Sequence, residues 1–536
     1  MEWWKKGVVY QIYPMSFKDS NNDGIGDLGG IIEKIDYLKE LGVDVIWLTP
    51  IYNSPLDDNG YDISDYYSIH EQFGSMEQFN ELLEKLHNRG MKIIMDLVVN
   101  HTSDEHKWFK EAKKDKNSPY RDYYIWSDNV KTDQQSFFSG SVWQYEEEAG
   151  QYYYHLFSKR QPDLNWDNKN MRKDVYKLIN WWLDKGIDGF RLDVIDLIGK
   201  IPDESIMVSE KTHKYLQEMH EACFKGRDIL TVGETPFATP ETAPLFSSED
   251  RKELSMVFGF EHIGLDEVRG QGKWELKKLD VNELKEVFNK WQQALNNNGW
   301  NSLFWSNHDQ PRIVSRFGND KEFHKESAKM LATILHGMKG TPYIYQGEEI
   351  GMTNVRFSLE DYKDVETINM VKEKQELGWS MDKIMTGIYA KGRDNARTPM
   401  QWSKDENAGF TKGESWLKVN PNYVDINVED TLKEKESIFN HYQKLIKFRK
   451  TYDVIINGDF NLLYPNDERI FSYVRRNENE ELLVFSNFTK DPIDIEFPLY
   501  ESFKKGELLI SNYNENLMEK KIVLRPYESR MYYLKK

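Results

Sequence analysis

The amino-acid sequence predicts an α/β protein: a (β/α)8 TIM barrel with an inserted subdomain after strand 3 and a C-terminal antiparallel β domain. Eight short apolar runs alternate with amphipathic helical patterns, which is typical of parallel βα units. Residues 101–168 interrupt that alternation after the third run. Beyond residue 460 the helical patterns stop, and alternating apolar and polar residues indicate an antiparallel sheet with one solvated face.

The apolar runs predict the barrel strands in chain order. We place them at 8–13, 45–49, 92–99, 189–194, 230–233, 256–260, 302–306 and 343–345. Between most of them, apolar residues recur at steps of three and four, the spacing of one helix face. The clearest helical segments are 31–41, 76–88, 174–184 and 325–336. A barrel of this kind carries its active site at the C-terminal ends of the strands.

Three stretches lie outside the barrel pattern. Residues 101–168 are rich in aromatic and turn-forming residues, which predicts an irregular inserted subdomain. Residues 349–400 follow the last strand and are expected to fold over the barrel mouth. After a helix at 437–449, strands are predicted at 470–474, 482–485, 493–497 and 531–534. The predicted domains are therefore the barrel (1–100 and 169–460), the inserted subdomain (101–168) and the C-terminal β domain (461–536).

Composition and charge limit the possible partners. The chain has 536 residues and a formal net charge of -18, which argues against nucleic acid, since phosphate binding needs concentrated Lys and Arg. The only cysteine is Cys223, so no internal disulfide can form, which fits a reducing compartment. The sequence shows neither a signal-peptide pattern nor the roughly 18 consecutive apolar residues of a membrane helix. We expect a cytoplasmic monomer without a membrane or protein partner.

Carboxylates follow three of the predicted strands. Asp193, Glu234 and Asp309 lie at the ends of strands four, five and seven. For any single carboxylate, a structural ion pair is an equal alternative to a catalytic role. Three that converge at one barrel mouth favour chemistry, because glycoside hydrolysis needs a carboxylate and a carboxylic acid on opposite faces of the scissile bond.

Four segments carry a resemblance to a known family. Residues 96–101, 189–194, 233–234 and 307–309 resemble the four signature regions of the α-amylase family of glycoside hydrolases, in order, spacing and strand context. The resemblance covers essentially the whole chain. Segments 11–14, 341–349 and 392–399 are most similar to the branch that contains the oligo-1,6-glucosidases and the dextran glucosidases (glucan 1,6-α-glucosidases).

The resemblance implies roles for matching residues. Asp193 resembles the nucleophile, Glu234 the general acid and base, and Asp309 the third carboxylate, which binds ring hydroxyls. Arg191 is expected to hold Asp193 ionised. The remaining implied contacts to the terminal glucose come from His101, His308, the aromatic platform Tyr61, and a capping pair, Asp58 and Arg393. A turn-capping role is the alternative for Asp58.

Three further residues bear on the bond that is cleaved. Val194 follows the nucleophile, where the α-1,6-cleaving enzymes of this branch resemble one another in having Val. Lys273 and Glu366 resemble residues that bind the glucose next to the cleaved bond, and for both the alternative is a solvated surface charge. We expect a retaining, exo-acting α-glucosidase on an α-1,6-linked oligosaccharide substrate. Pro236 resembles the residue usual in the oligo-1,6-glucosidases, whereas the short segment 198–202 resembles the dextran glucosidases. The two features disagree, so the preferred chain length stays open.

Other activities share this scaffold. A trehalose-6-phosphate hydrolase or an α-1,4-preferring α-glucosidase would keep all three carboxylates. A non-catalytic, transporter-associated subunit is a remote alternative, because such subunits typically lose the catalytic carboxylates. The segment after Asp309 lacks the charged run of the sucrose isomerases, which favours hydrolysis over isomerisation.

A calcium site is predicted after the first strand. Asp19, Asn21, Asp23 and Asp27 present oxygen ligands at alternate positions, with the Ile25 carbonyl between them, as in the first part of an EF-hand loop. Relatives of this branch bind calcium at the matching loop. The expected Ca²⁺ is structural, and the chemistry requires no cofactor. A plain polar turn is the alternative.

Overall fold

The computed structural model describes residues 2–514 and 519–536. Its centre is a closed barrel of eight parallel strands, as predicted. We number them β1 to β8 along the chain: Val9–Ile12, Val45–Leu48, Lys92–Leu97, Gly189–Leu192, Leu230–Glu234, Met256–Phe258, Asn301–Leu303 and Thr341–Tyr345. Neighbouring strands pair in chain order, and β1 closes the barrel by pairing with both β2 and β8. Most predicted strands run too far at their C-terminal ends, because those residues leave the ladder and form the loops of the barrel mouth.

Helices return the chain between the strands. They are Leu28–Glu33, Ile35–Leu41, Met76–Asn88, Lys169–Lys185, Glu210–Met219, Ala243–Ser247, Val281–Ala294, Ile313–Arg316, His324–His336 and Ile438–Thr451. The single helix predicted at 31–41 is wrong, since two short helices meet at Lys34, whose ψ of 6° interrupts the helical backbone. The helix predicted at 174–184 is longer, because Asn168 caps its first turn and Gly186 ends it with φ +107°.

The barrel interior is filled by alternate strand residues. Val9, Val45, Trp47, Leu230 and Val232 belong to one buried apolar cluster. Residues of the other parity pack in a separate cluster with the surrounding helices. Because side chains alternate along a strand, the interior row of each strand leads directly to the barrel mouth.

Two segments cover that mouth. The inserted segment contains the helix Lys107–Lys114 and a small sheet of Trp126–Ser127, Trp143–Glu146 and Gln151–Tyr154. The segment after β8 contains the helices Val365–Glu376, Met381–Lys391 and Asp394–Arg397. The amide of Asn369 donates a hydrogen bond of 3.2 Å to the carbonyl of Phe138, and the Ser139 hydroxyl donates to Glu373. The two covering segments therefore touch each other above the barrel.

The C-terminal region is antiparallel, as predicted. One sheet contains Asp459–Leu463, Ile470–Arg476, Glu480–Asn487, Ser529–Lys535 and Glu507–Ser511, and a second contains Ile493–Glu496 and Lys521–Leu524. The first strand begins at Asp459, ahead of the predicted boundary at 461. Within the described residues, no helix is long and apolar enough to cross a membrane.

Candidate active site

The interior rows of β3, β4 and β5 end in charged groups. On β5 the row is Leu230, Val232 and then Glu234. The strand register places Asp96 of β3 beside Arg191 of β4, and Arg191 beside Val232. Asp96 and Arg191 are buried. Strand alternation alone thus brings an acid–base–acid group to the top of the barrel.

One guanidinium joins the two predicted catalytic carboxylates. Asp193 directly follows β4, and its Oδ1 accepts a hydrogen bond of 2.7 Å from Arg191 Nη1. Arg191 Nη2 lies 2.7 Å from Glu234 Oε2, and Nη1 also contacts Asp96. A retaining glycosidase needs its two carboxyl groups about 5–5.5 Å apart. A single guanidinium can hold both only because they are near neighbours.

Asp193 is buried among other carboxylates. Burial raises the pKa of Asp193 well above its usual range, Arg191 opposes that shift, and the charges of Glu234 and Asp96 raise it further. Burial likewise raises the pKa of Asp96 to about 6. Arg191 therefore favours the ionised form of Asp193, as predicted, but burial and the neighbouring carboxylates outweigh its effect.

Asp309 is held ionised by cations. Burial opposes its charge, but two guanidiniums, Arg393 and Arg397, outweigh burial and, together with the adjacent imidazole of His308, hold the pKa of Asp309 well below its usual range. Arg397 Nη2 donates a 2.8 Å hydrogen bond to Asp309 Oδ1, and His308 Nε2 lies 3.1 Å from Oδ2. Burial lowers the pKa of His308 to about 3, so the imidazole is neutral at pH 7.

The far end of the site is closed by an ion-pair cluster. Arg393 Nη2 lies 3.2 Å from Asp58 Oδ1 and 2.6 Å from Asp364 Oδ1. Phe138 packs 5.0 Å from the Arg393 guanidinium. Asp58 and Arg393 are only 5% and 7% exposed. Asp58 and Arg393 therefore form an ion pair, and the Asp58 carboxylate faces Arg393 rather than its own turn. The role of the pair in capping the terminal glucose stays a prediction.

Tyr61 and His101 line the same end. The Tyr61 ring stacks on the His308 ring at 5.2 Å, and its hydroxyl donates to Asp96 Oδ2 at 3.2 Å. His101 Nε2 lies 3.1 Å from the Tyr61 carbonyl. Burial lowers the pKa of His101 to about 4. Both histidines are thus neutral hydrogen-bonding groups at neutral pH.

Val194 has an unusual backbone. Its φ of 35° and ψ of 43° are left-handed, a conformation that β-branched residues rarely adopt. In this conformation the Val194 N–H donates a hydrogen bond of 2.9 Å to Glu234 Oε2. Strain of this kind clusters at functional sites. Val194 therefore links the turn after Asp193 to Glu234.

Lys273 and Glu366 lie at the same cavity and are not solvated surface charges. Lys273 Nζ lies 2.5 Å from Glu366 Oε2, which is also 3.5 Å from Arg393 Nε. The cavity has a volume of about 290 Å³. The predicted residues among those that line it are Asp58, Tyr61, His101, Asp193, Val194, Glu234, Lys273, Asp309, Glu366 and Arg393.

Comparison with known proteins decides the family. The α-amylase catalytic domain matches residues 11–458, and the C-terminal domain of the α-amylase SusG matches residues 470–531. The chain belongs to the α-amylase family of glycoside hydrolases. This α-amylase family chain is 56% identical to an oligo-1,6-glucosidase of Bacillus cereus, over 100% of both chains.

Two further relatives have different named activities. A glucan 1,6-α-glucosidase of Streptococcus pneumoniae is 52% identical over 98% of each chain. A solved trehalose-6-phosphate hydrolase (TreA) of Bacillus licheniformis is 48% identical, with a TM-score of 0.96 over 100% of each chain. The chain thus resembles members of the α-amylase family with more than one named substrate.

Sequence reasoning did not assign two residues that complete this α-amylase family site. Asp364 is buried, and its carboxylate binds Arg393. Arg397 binds Asp309 Oδ1 and donates a 3.1 Å hydrogen bond to the His308 carbonyl. Arg397 lies in the segment 392–399 that carries the resemblance, so its position in the sequence could have indicated a role in the site. Asp364 stands in a polar stretch with no such signal.

The predicted calcium loop is ordered by its own hydrogen bonds. Asp19 Oδ1 accepts from the N–H groups of Asn21 and Asn22, and Asp23 Oδ1 accepts from the N–H of Ile25. Asp27 caps the helix Leu28–Glu33. The atoms of this loop that could bind a metal are oxygens, which calcium prefers as ligands. Among the described residues, no three acidic, His or Cys side chains are grouped to hold a metal. Calcium at this loop stays a prediction.

Proposed function

We propose that this protein is a retaining exo-α-glucosidase that cleaves α-1,6 bonds at the non-reducing ends of isomalto-oligosaccharides. The observation that carries the proposal is the contact of one guanidinium, Arg191, with both Asp193 and Glu234 in a cavity that Asp58 and Arg393 close. The oligo-1,6-glucosidase and glucan 1,6-α-glucosidase relatives support the linkage.

The proposed reaction has two steps. Asp193 attacks the anomeric carbon while Glu234 gives its proton to the leaving glycosidic oxygen, which forms a β-glucosyl ester on Asp193. Glu234, now ionised, takes a proton from water, and the water oxygen displaces Asp193. Arg191 stabilises the carboxylates as charge moves between them. Two inversions leave the released glucose in the α configuration.

Exo action follows from the closed end of the cavity. A volume of about 290 Å³ is at the lower limit of ligand pockets, which hold about 300–1,000 Å³. Asp58 and Arg393 block extension of a glucan beyond one terminal glucose. Asp309, with Arg397 behind it, supplies the ionised acceptor for ring hydroxyls.

Trehalose-6-phosphate hydrolysis is the alternative that the solved TreA relative supports. That substrate carries a phosphate on its leaving sugar and needs free cationic donors there. In this cavity Lys273 is paired with Glu366, and Arg393 is paired with Asp364 and Asp58. The charges at the described cavity residues therefore favour a neutral sugar.

We further infer three properties of the working enzyme. The single cysteine, Cys223, is buried and free, which supports a reducing, cytoplasmic location. The residues that line the cavity all belong to this chain, so we propose that a monomer is sufficient for activity. The alternating oxygen ligands from Asp19 to Asp27 support one structural calcium ion.

A substrate panel tests the function. We expect kcat/KM for isomaltose to exceed that for maltose and for trehalose 6-phosphate by at least about tenfold, the discrimination one shaped wall can supply. Sucrose should give glucose and fructose without an isomeric disaccharide. A higher kcat/KM for trehalose 6-phosphate would overturn the assignment in favour of the alternative.

A further inference from the structure

Two phenylalanines stand exposed at the mouth of the active-site cavity. Phe137 is 46% and Phe237 is 44% exposed. Their ring centroids lie 6.5 Å apart at an interplanar angle of 45°. Both rings line the cavity that holds Asp193 and Glu234. Exposed aromatic rings at a concave site indicate contact with a ligand rather than with the core.

The exposure of the lining residues distinguishes the closed end of the cavity from its open end. Asp58 and Arg393 at the closed end are almost fully buried, whereas Phe137 and Phe237 are nearly half exposed. The terminal glucose occupies the closed end under the proposed function. Any glucose on the leaving side of the cleaved bond must therefore pass the two rings.

Separate elements hold the two rings in place. The Phe137 N–H donates a 2.9 Å hydrogen bond to the Leu156 carbonyl, and the Phe137 ring packs 5.2 Å from Phe157. The Phe237 N–H donates a 2.9 Å hydrogen bond to Asp196, which is completely buried. Because both backbones are anchored, little conformational entropy is lost when a ligand contacts the rings.

The chemistry of the rings fits a pyranose. A glucose unit presents C–H groups on its ring faces, and aromatic rings bury such apolar area without demanding a hydrogen-bond partner. We propose that Phe137 and Phe237 form an aromatic rim that stacks on glucose units beyond the cleaved bond and makes isomaltotriose and longer chains better substrates than isomaltose. This inference rests on the proposed α-1,6-glucosidase function.

The number of sugars decides what the rim can contact. Isomaltose places one glucose beyond the cleaved bond, and isomaltotriose places two. A rim of two rings offers a surface for the second glucose beyond the cleaved bond. Isomaltose has no such second glucose. A merely structural Phe137–Phe237 contact would instead stabilise the fold equally, whichever substrate is present.

Kinetics on three substrates test the rim. The variants are Phe137→Ala, Phe237→Ala and the double variant, with Phe137→Tyr and Phe237→Tyr as matched controls that keep the ring. The substrates are isomaltose, isomaltotriose and α-glucosyl fluoride, which has no sugar leaving group. We expect the double alanine variant to lower kcat/KM for isomaltotriose by roughly tenfold, corresponding to about 0.7 kcal/mol per ring. The loss should be smaller for α-glucosyl fluoride, and the tyrosine variants should retain the preference for isomaltotriose.

Two negative results have different meanings. If the wild type cleaves isomaltose and isomaltotriose but the double variant loses the same factor on all three substrates, the rim is refuted and the function stands. If the wild type cleaves α-glucosyl fluoride but neither α-1,6 sugar, the proposed function itself fails. Melting temperatures identify any variant that does not fold, and Phe237→Leu, which keeps apolar volume without a ring, then replaces it and should lose the isomaltotriose preference.

Discussion

At the scale of single residues, Val194 bears most directly on the proposed preference for α-1,6 bonds. Its left-handed backbone directs the N–H to Glu234, while its side chain lines the cavity beside Asp193. The sequence identified Val194 through the resemblance, but no local pattern predicts a β-branched residue in this conformation. In the structure this conformation goes with the hydrogen bond to Glu234 and with burial of the Val194 side chain against Leu197.

Replacing Val194 by Ala tests its role as a wall. Val194→Ala should raise kcat/KM for maltose relative to isomaltose by roughly tenfold, because removing apolar volume admits a different acceptor trajectory. Val194→Ile keeps a β-branched wall and should leave the ratio near the wild-type value. An unchanged ratio of kcat/KM for maltose to that for isomaltose in the alanine variant would show that Val194 does not determine the preferred linkage.

Asp58 predicts a pH dependence. Burial raises its pKa to about 6, and Arg393 and Arg397 oppose that rise. As pH falls through 6, Asp58 gains a proton and no longer offers a charge to Arg393, so kcat/KM should fall. The pKa of Asp96 is also about 6, so the acid limb should be steeper than one proton allows.

Asp58→Asn isolates that contribution. The variant cannot ionise, so the acid limb of log kcat/KM should lose about one unit of slope, although the absolute rate falls. The measurement is a pH profile of both proteins between about pH 5 and pH 8. Identical slopes in the two proteins would show that Asp58 does not titrate in this range.

At the scale of elements, the sequence predicted what periodicity controls. All eight barrel strands and the helix Met76–Asn88 were located from apolar spacing. The covering helices Val365–Glu376 and Met381–Lys391 were not, because their apolar residues pack in a small cluster of their own rather than on a sheet. The strands Asp459–Leu463, Glu507–Ser511 and Lys521–Leu524 were also missed, since their alternation is short and mixed with polar residues.

The site shows the same division. Residues at strand ends were predictable, because a parallel barrel delivers its C-terminal ends to one surface. The contact of Phe138 with Arg393 and the tie from Asn369 to Phe138 join segments far apart in the chain. No spacing within either segment encodes such a contact.

Calcium should stabilise the loop from Asp19 to Asp27. We expect EDTA to lower the melting temperature on the order of a few degrees and added Ca²⁺ to restore it, because an ion that binds only the folded state stabilises it by mass action. Asp23→Asn keeps a hydrogen-bond acceptor but removes a charge, so it should weaken the response. Equal melting temperatures in EDTA and in Ca²⁺ would refute the site.

At the scale of the whole molecule, buried carboxyls with raised pKa values make stability depend on pH. Burial raises the pKa of Glu348 to about 8, and that of Asp196 likewise. Tyr442 donates a 2.8 Å hydrogen bond to Glu348 Oε1. A raised carboxyl pKa means that the folded state binds a proton that the unfolded chain releases above about pH 4.3. The contribution of this group to stability is therefore fully present below about pH 4.3, falls as pH rises, and is lost by about pH 8.

Glu348→Gln removes that loss. Glutamine can still accept a hydrogen bond from Tyr442 and cannot ionise, so the melting temperature of the variant relative to the wild type should rise between about pH 5 and pH 8 and change no further above pH 8. The exposed Glu376→Gln is the matched control and should show no such trend. A constant difference between Glu348→Gln and the wild type would contradict the protonated state.

The central claim is that Asp193 and Glu234 act together on one glucose at the barrel mouth. The most direct measurement is mass spectrometry of the peptide that contains Asp193 after reaction with 5-fluoro-α-glucosyl fluoride, which forms the glycosyl-enzyme but hydrolyses it slowly. We predict one fluoroglucosyl group on Asp193 and none in Asp193→Asn. A label on another residue, or turnover of isomaltose that releases β-glucose without any label, would contradict the account.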